Sequence, residues 1–258
     1  MNLIDGHAMP LPRTAAVIPA RYASTRFPGK PLARIAGKSM VEHVWRRCQE
    51  AQVFSEVLVA TEDARIQEEV ARFGGTAVMT SPTCPTGTDR VAEVARGRSG
   101  VEVWVNVQGD EPLLDPEALK VLAGLFEDPS VRMGTLVRPL EAAEVPSPHV
   151  VKAVLARNGD ALYFSRAALP FIREAGHEGS VQRWAHIGLY GYRHETLLEL
   201  ATLPPTPLEE AEKLEQLRAL EHGLRIRCGQ VRGRTVAVDV PEDVARVEEV
   251  LRARGLLP

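Results

Sequence analysis

The sequence predicts an α/β protein whose main element is a mostly parallel sheet flanked by helices. Short β-branched runs alternate with helical patterns over roughly the first 125 residues, and a strand–helix–strand order requires parallel pairing with right-handed crossovers. Beyond about residue 130 the strand-like stretches become longer and the helices between them fewer. The second part of the chain is therefore expected to contain a smaller region of mixed or antiparallel pairing.

The length of the chain favours one domain. It has 258 residues, 45% of them hydrophobic and 25% charged, and single cores stop growing only at about 250–300 residues. We expect one α/β domain spanning 1–258. It consists of an N-terminal extension (1–13), a first half (about 14–130) and a second half (about 131–258) that ends in a helix.

The first half contains four predicted strands and four predicted helices. The strands are 15–18, 57–60, 76–79 and 103–107. The first helix follows a capping box that starts at Ser39, and the second begins near Asp63 and ends at Gly74. The third spans about 88–96, and the fourth has Asp115 as its N-cap and Pro116 in its first turn.

The second half is predicted to contain longer strands and two clear helices. The strand-like stretches are 133–140, 150–155, 161–165 and 187–192. The helices span 208 to about 221 and 242–254, and Gly255 ends the second.

Composition and charge exclude several classes of protein. The formal net charge is −3, which provides no general attraction to nucleic acid or to a membrane surface. No apolar run approaches the roughly 20 residues that a bilayer requires, and the first residues lack a secretory pattern. Three cysteines without C-x-x-C spacing argue against a disulfide scaffold or a cysteine-rich zinc site. We expect a soluble, cytoplasmic protein.

The loop after the first strand has a strongly basic character. Between residues 14 and 41 there are five basic residues and no acidic one, and small residues separate Arg21, Arg26 and Lys30. Such a loop at the carboxyl end of a strand suits a polyphosphate. Residues 37–39 do not form a P-loop, because Leu32 stands where that motif requires glycine. The simpler alternative is a solvated basic loop.

Two carboxylates are expected near that loop. Asp110 follows the fourth strand, and Asp239 ends an apolar run just before the last helix. A carboxylate beside a phosphate needs a cation, and Mg²⁺ takes one or two protein carboxylates together with phosphate oxygens. Asp110 is otherwise a turn residue or N-cap, and Asp239 a turn residue that precedes a helix.

Together the motifs resemble the 3-deoxy-manno-octulosonate cytidylyltransferase (CMP-Kdo synthetase) family. The matching segments, which run in the family's order, are 19–32, 86–90, 106–112, 163–167, 186–193, 207–209, 214–218, 239 and 241–243. Residues 1–13 extend beyond the family's usual start, and Phe27 stands where leucine is common.

The resemblance implies a nucleotide-diphospho-sugar transferase-like fold with a Rossmann-like sheet. It also implies a homodimer that uses CTP, 3-deoxy-D-manno-octulosonate (Kdo) and Mg²⁺ to make CMP-Kdo for lipopolysaccharide synthesis. The first half would bind nucleotide, and the second would bind the sugar and form the dimer.

The resemblance also assigns roles to individual residues. Arg21, Lys30, Asp110 and Asp239 are implied as catalytic, and the two aspartates as metal ligands. The implied nucleotide-binding residues are Pro19, Ala20, Arg21, Arg26, Lys30, Thr86, Gly87, Thr88, Arg90 and Gln108. The implied sugar-binding residues are Arg166, His186, Tyr190, Glu215 and Gln216.

Two other functions remain open. One is cytidylyl transfer to another acidic sugar, either an 8-amino-Kdo analogue or a sialic acid, although sialic-acid enzymes usually have a glycine-richer first loop. The other is a nucleotide-binding protein without catalysis, against which the presence of both Asp110 and Asp239 argues.

Overall fold

The centre of the fold is a nine-stranded sheet. A computed structural model of the chain describes residues 12–23, 27–174, 176, 179, 181–233, 237–253 and 255. The strands in this part of the chain are β1 (Thr14–Pro19), β2 (Arg34–Ile35), β3 (Lys38–Ser39), β4 (Glu56–Thr61), β5 (Thr76–Met79), β6 (Val103–Asn106), β7 (Met133–Pro139), β8 (Lys152–Leu155), β9 (Ala161–Ser165), β10 (Trp184–Arg193) and β11 (Ile226–Gln230). β2 and β3 form a separate hairpin.

The sheet is mostly parallel, as the sequence predicts. Its order is β11-β7-β10-β6-β1-β4-β5, with β8 paired to β10 and β9. The four strands β6, β1, β4 and β5 are parallel neighbours. The long strand β10 runs antiparallel to both β6 and β7 and carries the antiparallel β8–β9 extension. The change in pairing expected beyond residue 130 is therefore confirmed.

Helices cover both faces of the sheet. They are α1 (Met40–Ala51), α2 (Ala64–Arg72), α3 (Gly87–Arg96), α4 (Pro116–Gly124), α5 (His194–Leu200), α6 (Pro207–Glu212), α7 (Gln216–Glu221) and α8 (Asp243–Ala253). Ser39, Asp63 and Asp115 cap α1, α2 and α4 as predicted, each accepting a backbone N–H hydrogen bond. In the part of the chain that the structure describes, no helix is both long and apolar enough to cross a membrane.

The second half differs from the expectation in one helix and in two elements that were not predicted. The helix expected over 208–221 is two short helices, because Lys213 adopts a left-handed conformation (φ 52°) that ends α6. The short helix α5 and the strand β11 were not predicted. Asp239 lies in a loop, 237–239, whose contact with the core is made by buried Val238.

Alternate residues along the central strands supply the two main cores. Ala15 and Val17 of β1 pack in one cluster, and Ala16 and Ile18 pack in the other. A third, smaller cluster lies between the β2–β3 hairpin, the start of α1 and α8. It consists of Ile35, Met40, Leu113, Val238, Val247 and Leu251. This cluster attaches the C-terminal helix, and with it the Asp239 segment, to the basic loop.

Candidate functional site

A cavity of about 390 Å³ lies at the carboxyl ends of β1 and β6. At this point the strand order reverses, because β4 lies on one side of β1 and β6 on the other. Ligands of open parallel sheets bind in such a crevice. The residues that line it are Pro19, Ala20, Arg21, Ala23, Lys30, Pro31, Gly87, Gln108, Gly109 and Asp110. This β1–β6 cavity brings together most of the predicted nucleotide-binding residues from three separate segments.

Gly109 allows the two loops of the cavity to approach each other. A Cβ atom at this position would lie 2.7 Å from the carbonyl oxygen of Pro19, a distance that real side chains do not tolerate. The sequence reasoning did not single out this residue. The available signal was a glycine directly after the end of a buried strand.

Lys30 joins the basic loop to both acidic segments. Its Nζ atom lies 2.7 Å from Oδ2 of Asp110 and donates a second hydrogen bond to the carbonyl oxygen of Val238 at 3.0 Å. The backbone N–H of Val238 in turn donates to the carbonyl oxygen of Asp110 at 2.9 Å. These contacts hold the backbone of Val238, the residue before Asp239, against the backbone of Asp110. Gly29, in the left-handed conformation (φ 71°), turns the chain into the short 3₁₀-helix that carries Lys30.

Arg21 lies against the loop that leads into α3. Its guanidinium donates to the carbonyl oxygen of Cys84, and the same nitrogen lies 3.4 Å from the carbonyl oxygen of Thr86. Thr86 caps α3 through a capping box with Asp89, and Gly87 follows at the cavity wall. The amino end of α3 therefore faces the cavity, where its partial positive charge favours an anion.

Arg90 is placed differently from the other predicted nucleotide-binding residues. Its side chain is completely buried, with Nη2 2.8 Å from Oε2 of Glu62 and a further hydrogen bond to Oγ1 of Thr80. Glu62 also accepts a hydrogen bond from the backbone N–H of Tyr22 at 3.3 Å. Arg90 thus connects α3 with the β4–α2 loop and, through Glu62, with the basic loop. It is not part of the cavity lining.

The predicted sugar-binding residues His186 and Tyr190 lie on β10, next to the cavity. Their rings are 5.4 Å apart, and Tyr190 pairs in register with Asn106 of β6. Although an edge of His186 remains accessible, burial lowers its pKa to about 3, so the ring is neutral. Its Nε2 lies 2.9 Å from Oγ1 of Thr135. Burial also raises the pKa of Tyr190 well above its usual value, which keeps the phenol protonated.

Glu215 and Gln216 approach the same region from the start of α7. Burial raises the pKa of Glu215, whereas hydrogen bonding to Thr88 and the nearby Arg218 guanidinium oppose that rise. Within the described residues, Nε2 of Gln216 and Oδ1 of Asn106 are buried without a hydrogen-bond partner. Buried polar atoms in native proteins are nearly always satisfied. The described residues contain nine such atoms, and among these two only Asn106 is placed at the cavity wall, next to Gly87, where its oxygen is available to a polar ligand.

Arg166 supports this region rather than lining the β1–β6 cavity. Its Nε donates to the carbonyl oxygen of Glu212 at 2.8 Å, and its two terminal nitrogens lie 3.0 Å from that of Pro148 and 3.4 Å from that of Lys213. The side chain therefore stabilises the turn between α6 and α7 that presents Glu215. The predicted residue Arg26 lies outside the described residues.

The two aspartates are chemically suited to Mg²⁺. The described residues contain no group of three or more metal-ligating side chains. Mg²⁺ does not require such a group, since it keeps water and phosphate oxygens and takes only one or two carboxylates. The Asp110 side chain is 29% exposed, and its ammonium partner shows that a cation is already stabilised there.

A second cavity of about 500 Å³ lies at the opposite ends of the strands. Its arginines already have partners: Arg98 lies 2.8 Å from Glu56, and Arg132 lies 2.5 Å from Glu199. None of the predicted site residues lines it. We therefore place the functional site at the β1–β6 cavity, although it is the smaller of the two.

A basic cavity with a carboxylate at its rim, at the switch point of a parallel sheet, defines a nucleotide-binding α/β protein. The model of the family described as cytidylyltransferase matches residues 15–226. The chain belongs to this cytidylyltransferase family.

Individual members of the family narrow the comparison. The chain is 72% identical to the 3-deoxy-manno-octulosonate cytidylyltransferase of Myxococcus xanthus over 94% of its own length and 98% of that protein. It is 52% identical to the enzyme of the same name from Geobacter sulfurreducens, over 92% and 98%. Among solved structures, CMP:2-keto-3-deoxy-manno-octonic acid synthetase complexed with CTP superposes with a TM-score of 0.89 at 39% identity. That match covers 94% of this chain and 99% of the other.

Proposed function

We propose that this protein transfers a cytidylyl group from CTP to 3-deoxy-D-manno-octulosonate, giving CMP-Kdo and pyrophosphate for lipopolysaccharide synthesis. The relatives that this chain matches over nearly their whole length are named for this activity. The single structural observation that carries the proposal is the β1–β6 cavity, in which Arg21 and Lys30 face Asp110. Beside it lies Oδ1 of Asn106, which is buried without a hydrogen-bond partner and suits a hydroxyl-bearing ligand.

The reaction needs no side-chain nucleophile. The anomeric hydroxyl of Kdo attacks the α-phosphorus of CTP and forms the new oxygen–phosphorus bond. The bond from the α-phosphorus to the bridging oxygen breaks, pyrophosphate leaves with that oxygen, and the hydroxyl proton passes to solvent. Arg21, Lys30 and the amino end of α3 stabilise the negative charge of the triphosphate. Catalysis then comes mainly from holding the two substrates in line and from neutralising charge.

Asp110 and Asp239 would hold Mg²⁺ in this proposal. The metal would offset the charge of the phosphates and lower the proton affinity of the attacking hydroxyl. The chain's own contribution is the pairing of Val238 with Asp110, which keeps the two carboxylates on adjacent segments. Lys30 completes the arrangement by contacting both segments.

The sugar is proposed to lie between β10 and α7. His186 is neutral and hydrogen-bonded, so it accepts or donates a hydrogen bond without adding charge. Gln108 of the cavity donates to the carbonyl oxygen of Gly188 at 3.3 Å, which connects the β6 loop to β10. The two substrate regions are thereby adjacent.

The first test is pyrophosphate release with CTP and Mg²⁺ against a panel of acceptors. The panel contains Kdo, its 8-amino analogue, a sialic acid and a control without sugar. Release that depends on Kdo supports the proposal. Release with another sugar alone retains the mechanism and changes the substrate, and no release from protein that binds CTP favours a non-catalytic nucleotide-binding protein.

The proposal includes a homodimer that works in the cytoplasm. Leu162 of β9 is 62% exposed and Phe171 of the following segment is 83% exposed, so both are available to a second subunit. Cys48, Cys84 and Cys228 are all free and buried, which suits a reducing compartment. Light scattering coupled to size exclusion tests the dimer. The same proposal includes no nucleic-acid or membrane partner.

A further inference from the structure

One carboxylate, that of Glu93, holds the loop between β5 and α3 at two points. Oε1 of Glu93, on the second turn of α3, accepts a hydrogen bond from the backbone N–H of Ser81 at 2.9 Å. Its Oε2 accepts a hydrogen bond from Sγ of Cys84, also at 2.9 Å. A single side chain therefore contacts both the beginning and the middle of this loop.

The same loop determines where the Arg21 guanidinium lies. The carbonyl oxygens of Cys84 and Thr86 both receive a hydrogen bond from Nη2 of Arg21. The rest of the guanidinium makes no hydrogen bond to the described residues, and Arg21 lines the β1–β6 cavity. Fixing a free arginine side chain costs rotamer entropy, and the hydrogen bonds to these carbonyl oxygens offset that cost before a ligand binds.

The protonation states support this chain of contacts. The hydrogen bond from Cys84 lowers the pKa of Glu93, so its carboxylate is ionised and accepts two hydrogen bonds. Burial and the Glu93 carboxylate raise the pKa of Cys84 to about 11, so the thiol retains its proton. Both groups hold these forms across the neutral pH range.

We propose that Glu93 is a positioning residue for Arg21. It holds the 81–86 loop so that the carbonyl oxygens of Cys84 and Thr86 fix the Arg21 guanidinium at the cavity wall. Glu93 does not touch the substrate and acts only through the loop. The proposal rests on the proposed function in one respect, namely that Arg21 contacts the triphosphate of CTP.

The test compares variants of Glu93 and Cys84 by calorimetric CTP binding and by steady-state kinetics at saturating Kdo. We expect Glu93→Ala to weaken CTP binding and to raise the KM for CTP about tenfold, with kcat changed by less than about threefold. Glu93→Gln retains an acceptor for the Ser81 N–H and is expected to lose less CTP affinity than Glu93→Ala. Cys84→Ser keeps a hydroxyl donor and is the matched control for Cys84→Ala, which is expected to lose about threefold in CTP affinity.

A double-mutant cycle with Arg21→Ala separates positioning from general loss of stability. If Glu93 acts through Arg21, Glu93→Ala has no further effect on CTP affinity in the Arg21→Ala background. An equal loss in both backgrounds, or an unchanged CTP affinity in Glu93→Ala, overturns the proposal. If Glu93→Ala does not fold, Glu93→Gln and Cys84→Ala are each combined with Arg21→Ala in the same double-mutant cycle.

The wild-type protein separates this inference from the proposed function. CTP binding needs no sugar, so the effect of Glu93 is measured even if Kdo is the wrong acceptor. Failure of the wild-type protein to bind CTP refutes the proposed function. Normal wild-type binding with unaffected Glu93 variants refutes only the positioning role.

Discussion

Removing the ammonium group of Lys30 tests how charge is organised at the site. Nζ of Lys30 lies 2.7 Å from Oδ2 of Asp110 and 3.0 Å from the carbonyl oxygen of Val238, with the Lys30 side chain 17% exposed. Lys30→Met keeps most of the aliphatic stem and deletes both hydrogen bonds. The carboxylate of Asp110 then loses the cation that the folded protein supplies.

The expected cost to stability is modest. Exposed ion pairs contribute about 0–1 kcal/mol and charge-assisted hydrogen bonds about 1.5–3 kcal/mol, so this partly exposed pair is worth about 1–2 kcal/mol. For a chain of this size the melting temperature falls by about 2–8 °C. Turnover falls much further, by about 10²–10³-fold, because a charge that stabilises the triphosphate is lost.

The affinity for Mg²⁺ without nucleotide should rise in Lys30→Met, whereas its stability and turnover fall. In the wild-type protein the metal must displace the Lys30 ammonium from Asp110. Without that competitor, about 1–2 kcal/mol is recovered, and Mg²⁺ binds about 5- to 30-fold more tightly. Isothermal titration calorimetry measures this, and Lys120→Met, which removes the partner of Glu117 on the exposed face of α4, is the matched control. An unchanged or weaker Mg²⁺ affinity in Lys30→Met refutes the competition and with it the metal role of Asp110.

Three further predictions concern other parts of the structure. Asp110→Asn should lose most of kcat, by about 10²–10³-fold, together with its dependence on Mg²⁺, while the melting temperature stays within a few degrees; near-normal turnover contradicts this. Leu251→Ala should lose about 2–5 kcal/mol locally, so amide exchange accelerates over 237–253 while β1 and β6 stay protected; a uniform loss of protection contradicts it. Burial lowers the pKa of His186 to about 3. The unfolded chain therefore takes up a proton near pH 6.5 that the native protein does not. The contribution of His186 to the free energy of unfolding is fully present above pH 6.5. It falls by about 1.4 kcal/mol per pH unit as the pH drops towards 3. In urea unfolding, the free energy of unfolding of His186→Gln should fall less as the pH drops than that of the wild-type protein. The same pH dependence in both proteins excludes the effect.

The parallel half of the fold follows from local rules, and the sequence predicts it well. Strands β1, β4, β5 and β6 begin and end within two residues of their predicted bounds. β1, β4 and β6 are buried and therefore read as continuous apolar runs, whereas β5 is a partly exposed edge strand. The caps of α1, α2 and α4 are side-chain hydrogen bonds to the next few residues, so they too are local. The β1–β6 cavity then follows from the topology alone.

The second half depends on contacts between distant residues, which the sequence pattern does not reveal. The break between α6 and α7 occurs at Lys213, which has no glycine-like signal, and Arg166 supports it from 47 residues away in the chain. Arg90 shows the same limit. Its motif matches a nucleotide-binding segment, but its burial depends on Glu62 and Thr80, which lie on other elements.

The arrangement of charges also suits the proposed binding of a triphosphate together with a divalent cation. An isolated buried charge is expensive, and breaking a buried pair leaves its partner without compensation. Here Lys30 is paired with Asp110, and Arg21 with backbone carbonyl oxygens, before any ligand is present. When a triphosphate binds together with a divalent cation, a phosphate replaces Asp110 as the partner of Lys30, and the cation replaces Lys30 as the partner of Asp110. Binding therefore exchanges partners rather than exposing unpaired charges, and nucleotide without the cation should bind more weakly because Asp110 would repel it.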